Sequence, residues 1–137
     1  MKMNKLLFGL VIISVIILAG CQTATSPYLS DIKVEPSYVE QGEKFSIGFV
    51  VNNPLTVAFQ GKVEFKSDCF ENQPSKKDVS VPSSDKLPFK SEFTAYKTPS
   101  YSSDKSKCEG IQQITSLLED SNDKVVASYL TQLNIVE

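Results

Sequence analysis

The sequence contains no histidine, no arginine and no tryptophan. Without histidine the chain lacks the commonest general base and the commonest metal ligand. It also lacks the partner that activates a serine or cysteine nucleophile. Without arginine it lacks the bidentate clamp for carboxylates and phosphates. No nucleophile–base constellation can be assembled from what is left, so an enzyme is not the expected reading. A basic excess is missing too: 14 lysines face 16 carboxylates, a net charge of −2. Removal of residues 1–20 would take away Lys2 and Lys5, leaving twelve lysines against sixteen carboxylates and a net charge of −4. Phosphate binding needs a basic face, so no nucleic-acid partner is expected. Nor is a cofactor.

Long hydrophobic runs are scarce as well, apart from one. After Met1-Lys2-Met3-Asn4-Lys5 comes an apolar stretch from Leu6 to Leu18, ending in Leu18-Ala19-Gly20-Cys21. A basic leader, an apolar segment and small residues at its exit are the parts of a secretory signal peptide. As a helix the run reaches roughly 20 Å, short of a ~30 Å hydrocarbon core. The ending resembles the lipobox of prokaryotic lipoproteins: one apolar residue, two small ones, then cysteine. That resemblance implies cleavage after Gly20 and a diacylglyceryl group on the Cys21 sulfur. The expected layout is a signal helix over residues 1–20, a lipidated tether over 21–30 and one domain over 31–137. The alternative is an uncleaved membrane helix with an incidental cysteine. The lipoprotein reading implies a membrane-anchored protein facing the extracytoplasmic side.

Three cysteines are present. With Cys21 lipidated, Cys69 and Cys108 remain, and an even remainder in an exported chain reads as a disulfide. Closing a loop of about 39 residues would constrain the unfolded chain by roughly 4 kcal/mol. Two free thiols or a metal pair are the other readings, but no further soft ligand accompanies them.

The rest of the chain alternates with period two. Ile32 and Val34 precede Pro36. Phe45, Ile47, Phe49 and Val51 alternate with Lys44, Ser46, Gly48 and Val50 and end at Asn52-Asn53-Pro54, the cleanest half-buried strand in the chain. Val57 and Phe59 lead through Gln60-Gly61 into a strand at 62–69. Residues 70–77 read as polar loop, Val79 and Val81 as a short strand, 83–88 as loop, and the segment from Phe89 through Phe93 to about Thr98 as another strand. Residues 99–107 read as loop. Residues 110–120 fit helix or strand, because Ile111, Ile114 and Leu118 satisfy either period; the neighbouring segments favour strand. After a turn at Ser121-Asn122-Asp123, the long run through Val125, Ala127, Tyr129, Thr131, Leu133 and Ile135 is a final strand.

About seven short strands separated by turns predict an all-β, immunoglobulin-like sandwich of two antiparallel sheets. Val39-Glu40-Gln41-Gly42-Glu43-Lys44-Phe45 before a strand and Val51-Asn52-Asn53-Pro54 after it resemble the prokaryotic immunoglobulin-like domains of the CARDB-like group. The resemblance implies that the strand at 62–69 and the strand around Ile114 are antiparallel neighbours. Cys69 would then clip the end of one to the start of the other through Cys108. Strand direction further places the turn at 36–43 and the loops at 70–77 and 98–107 at one end, with Tyr38, Phe70 and Tyr101 as aromatic partner-binding candidates among small polar residues.

Glu119-Asp120-Ser121-Asn122-Asp123 is the densest oxygen-ligand cluster. It suits Ca²⁺ by ligand type but lacks the EF-hand order and the distal Glu, and it reads as a solvated hairpin turn. Lys76-Lys77-Asp78 and Lys105-Ser106-Lys107 read as loop charges. The expected function is a lipid-anchored extracytoplasmic binding or structural module, engaging an envelope protein, a cell-surface protein or a glycan. A carboxylate-dependent envelope hydrolase and an accessory subunit of an envelope complex are the alternatives.

Overall fold

A computed structural model describes residues 25–71, 75–99 and 108–137. Eight strands run in chain order: β1 (Tyr28–Glu35), β2 (Tyr38–Glu40), β3 (Lys44–Asn53), β4 (Phe59–Lys66), β5 (Ser75–Val81), β6 (Asp85–Thr94), β7 (Gly110–Asp120) and β8 (Val125–Val136). They form two sheets, one of order β1-β3-β6 and one of order β2-β8-β7-β4-β5. All pairings are antiparallel except β2 with β8. The two-sheet sandwich read from the alternation is present, and residues 110–120 are strand. In that strand Ile114 and Leu118 turn inward while Ile111 turns outward, which period two requires and a helix would not.

The core is the set of inward alternates. Phe45, Ile47, Phe49 and Val51 of β3 face Val63 and Phe65 of β4, Ile114 and Leu118 of β7, and Leu133 and Ile135 of β8, all at most 3% exposed. Six phenylalanines form one continuous aromatic run: Phe89–Phe49–Phe65–Phe93–Phe45, with Phe70 stacked on Phe93 at a centroid distance of 4.9 Å. Such contacts add about 0.5–1.5 kcal/mol each beyond simple burial.

Several boundaries differ from those read in the sequence, each for a pairing reason. β1 begins at Tyr28, because Tyr28, Leu29 and Ser30 already pair with Asn52, Val51 and Val50; these residues belong to the fold rather than to a tether. The expected turn at 36–43 contains β2, which leaves the small sheet at the cis Glu35–Pro36 bond and pairs with β8. Gly61 lies inside β4 rather than before it. A side chain there would place its Cβ 2.1 Å from the Glu119 carbonyl oxygen, so close strand approach requires glycine. Residues 75–77 are strand, not loop, since Phe65, Glu64 and Val63 supply partners for Ser75, Lys76 and Lys77. Residues 85–88 are also strand. Pro88 is tolerated there because β6 is an edge strand, one side of which has no partner strand.

Candidate functional site

The strands fix two ends. Tyr28, Asn53, Asp85 and the turn after Asp120 lie at one; Glu35, Lys66, Thr94, Gly110 and Val136 lie at the other. At this second end the Cys69–Cys108 disulfide is formed, with the two Cα atoms 5.5 Å apart. Both residues are buried. It joins the chain just past β4 to the chain just before β7, adjacent strands of one sheet. Backbone bonds then extend the clamp. The Tyr96 N–H donates to the Cys69 carbonyl at 2.8 Å, and the Glu71 N–H to that of Thr94 at 3.0 Å. The Ala95 N–H donates to the Glu43 carbonyl and the Gly42 N–H to the Ala95 carbonyl, both at 2.9 Å. Gly42, at φ +82°, makes that reversal possible with the Lys97 stem packed beside it. Segments 41–43, 69–71 and 94–98 are therefore one connected unit.

Of the aromatic candidates read from the sequence, Tyr38 and Phe70 do not share a surface there. Phe70 is 4% exposed and packs on Phe45 and Phe93, so its ring is core and not a surface anchor; this corrects its assignment. It is buried because it bridges Ala95 and turns into the open end of the sandwich. Tyr38 is 65% exposed but stands on the outward side of β2. Tyr101, Cys21 and Lys105-Ser106-Lys107 lie outside the described residues.

A depression of about 390 Å³ opens at the same end, lined by Glu40, Gln41, Lys97, Thr98, Pro99, Glu109 and Glu137. Desolvation raises the Glu109 carboxyl above its ordinary range, and its hydrogen bond to Glu137 adds to the effect. Gln41 holds the rim through its side-chain oxygen, which accepts from the Thr98 N–H at 3.0 Å.

Several of the remaining charged candidates have partners. Lys76 reaches Glu119 at 3.4 Å and Glu64 at 3.8 Å, and Lys66 reaches Glu64 at 3.5 Å. Lys76 is thus part of a strand-crossing ion-pair group rather than a loop charge; the pairing register of β5 on β4 put it there. In the Glu119–Asp123 cluster, Asp120 accepts from the N–H groups of Asn122 and Lys124 at 2.8 and 3.1 Å, the geometry of a hairpin turn. Asp123 pairs with Lys62 at 2.9 Å, which holds its carboxyl below its ordinary range. Among the described residues no group of three or more Cys, Asp or Glu side chains is arranged to hold a metal.

No protein-family model matches the chain, and no curated protein does. Solved structures match by shape. The CARDB domain of a Pyrococcus furiosus protein, solved with di-metal ions, superposes with a TM-score of 0.54 at 15% identity over 84% of this chain and 98% of that one. The cupredoxin domain of amoB from Nitrosocaldus yellowstonii gives 0.57 at 8% identity over 83% and 89%. The Pseudomonas fluorescens DNA glycosylase AlkC gives 0.56 at 14% identity over 86% of this chain, which spans only 33% of that enzyme. At these identities the likeness is one of fold: an immunoglobulin-like or cupredoxin-like β-sandwich. A cupredoxin-type copper site needs two histidines, and this sequence has none.

Proposed function

We propose that the protein is a lipid-anchored, extracytoplasmic binding or structural module, attached to the membrane through Cys21 and presenting the disulfide-clamped end to a partner. The observation that carries this reading is the buried Cys69–Cys108 bond. Structural disulfides persist in oxidising compartments and are rare in reducing ones. The resemblance of Leu18-Ala19-Gly20-Cys21 to a lipobox supplies the anchor, and two acyl chains make a stable one. Residue 28 enters the fold at the end opposite the disulfide. An anchored chain would therefore hold segments 41–43, 69–71 and 94–98 away from the bilayer. Their cross-links lower the entropy lost on binding. The partner class this surface suits is an envelope or cell-surface protein or a glycan.

The test is intact mass of the membrane-bound form. It should show loss of residues 1–20 and added acyl mass, and Cys21→Ser should leave the precursor uncleaved. A wild-type chain that keeps Met1 and carries no lipid would overturn the anchor.

A further inference from the structure

Two loops at the Tyr28 end carry no charge: Pro54-Leu55-Thr56-Val57-Ala58 between β3 and β4, and Pro82-Ser83-Ser84 between β5 and β6. The connections at the disulfide end instead carry Glu43, Glu71, Lys97 and Glu109. Tyr28 pairs with Asn52 and Asn53 with Asp85, so both uncharged loops project past the last strand pairs. Val57 is 63% exposed, and Val125 (46%) and Tyr28 (39%) stand at the same end. The loops are held in place. The Asn53 amide binds the Val57 carbonyl and the Leu55 N–H, and the Ser84 N–H donates to the Leu55 carbonyl at 2.8 Å. The aspartates of the neighbouring β7–β8 turn are occupied, Asp120 by N–H groups of the turn itself and Asp123 by Lys62.

We infer that these loops seat on the surface of the bilayer to which the chain is tethered, with Val57 entering the headgroup layer and Tyr28 beside it. The inference rests on the anchored reading proposed above. Tether length selects the occupant. Pro27 is already buried in the fold, so the chain from Cys21 to it spans at most about 20 Å when extended. The headgroup layer on one side of a bilayer takes up about 5–8 Å of that. A folded protein partner, about 30 Å across, has no room between this end and the membrane, whereas the lipid surface is already there. A tyrosine ring suits the headgroup level, and uncharged loops approach it without stripping water from a charge. Three exposed side chains would not hold a free domain on a membrane. The lipid on Cys21 makes the contact intramolecular, so a weak one suffices to orient the domain. A depression of about 410 Å³ opens at the same end, lined by Tyr28, Asn52, Pro54, Ser84 and the opposite charges Asp85 and Lys86. With one charge of each sign there, seating needs no particular lipid charge. Seated in this way, the domain stands with its disulfide-clamped segments pointing outward.

The sequence has no tryptophan, so a single introduced tryptophan reports alone. The experiment is fluorescence quenching of the full-length chain as its bacterial host processes it, with acyl mass and the Cys69–Cys108 bond checked first. The chain is placed in phosphatidylcholine vesicles with and without brominated acyl chains. Val57→Trp should be quenched at least threefold more than Tyr38→Trp, a position 65% exposed at the disulfide end. Tryptophan itself favours the interface, so the second reporter is Ser83→Trp, and adding Val57→Asp to it should lower its quenching at least twofold. Replacing half of the phosphatidylcholine with phosphatidylglycerol should leave the quenching unchanged. A chain without acyl mass overturns the anchor and the seating with it. In lipidated, disulfide-bonded chains, equal quenching at positions 57 and 38, no effect of Val57→Asp, or quenching only with phosphatidylglycerol overturns the seating and leaves the anchor standing.

Discussion

At the end nearest Tyr28 a single amide holds the loops. The Asn53 side-chain N–H₂ donates to the carbonyls of Val57 and Pro82 at 2.9 Å and of Val81 at 3.2 Å, and its oxygen accepts from the Leu55 N–H at 3.1 Å. Asn53 is 2% exposed. At the opposite end a disulfide and four backbone hydrogen bonds hold segments of comparable length. Asn53 acts mainly in the folded state, since the Val81 and Pro82 carbonyls are brought to it only by folding. The disulfide acts chiefly on the unfolded chain, by closing a loop that spans 39 positions. The first end is therefore sensitive to one side chain and indifferent to redox conditions, and the second is the reverse.

Removing the covalent clamp is the largest way to break the contrast. Cys69→Ala with Cys108→Ala should cost about 4 kcal/mol, a fall in melting temperature of roughly 15 °C for a domain of this size. Hydrogen exchange should quicken first in 41–43, 69–71 and 94–98. Equal quickening at the Asn53 end would show that the ends are not separable units.

Next comes Asn53→Ala, expected to cost about 2–3 kcal/mol because several buried backbone groups lose their partner at once. Reductant should leave the size of that loss unchanged. Asn53→Asp should be at least as damaging, as a carboxylate would face three carbonyl oxygens. If instead the loss disappears on reduction, the two ends are coupled.

Between the ends Ser116 is fully buried on β7, and its hydroxyl has no hydrogen-bond partner among the described residues. Ser116→Ala should stabilise the protein by about 1 kcal/mol, read as a higher denaturant midpoint with unchanged slope. A loss of stability would mean that the interior between the ends depends on that hydroxyl.

The smallest effect belongs to Asp123 in the β7–β8 turn. Its carboxyl is lowered in the folded state, first by its hydrogen bond to Lys62 and then by that charge. The stability it contributes is present above the ordinary value of 3.8 and is lost as pH falls through the lower folded value. Asp123→Asn should be slightly less stable than wild type above about pH 5, converge with it in acid as the wild-type carboxyl protonates, and so show a flatter acid decline. Equal stability at neutral pH with an unchanged acid decline would mean that this solvent-exposed pair contributes nothing to the Asn53 end.

The sequence was legible where one segment carried its own signal. The alternation of Phe45, Ile47, Phe49 and Val51 marked β3 and its buried face, and Leu133 and Ile135 did so for β8. It misled where a strand drew its stability from a neighbour. β5 holds charged residues and starts after Pro74, so Lys76 and Lys77 read as loop; their partners on β4 make them strand. Pro88 looked like a strand breaker and sits on an edge. Phe70, beside polar residues, looked like a surface aromatic until the bridge to Ala95 turned it inward.

By itself, then, the sequence determined the all-β class, the inward face of its best strands and the cysteine pair, because alternation along a strand and a count of cysteines are properties of a single chain segment or of none. Tertiary structure decided that β2 leaves the small sheet for β8, that Lys76 meets two carboxylates, that Asn53 joins the β3–β4 and β5–β6 connections, and that Tyr38, Ile111 and Leu130 share one outward face. Period two says whether a side chain points in or out; it does not say which strand lies alongside. Adjacency comes from how the chain reverses and which edges pair, and Tyr38 and Ile111, 73 positions apart in the sequence, flank the same Asn134 only because β2 and β7 both pair with β8.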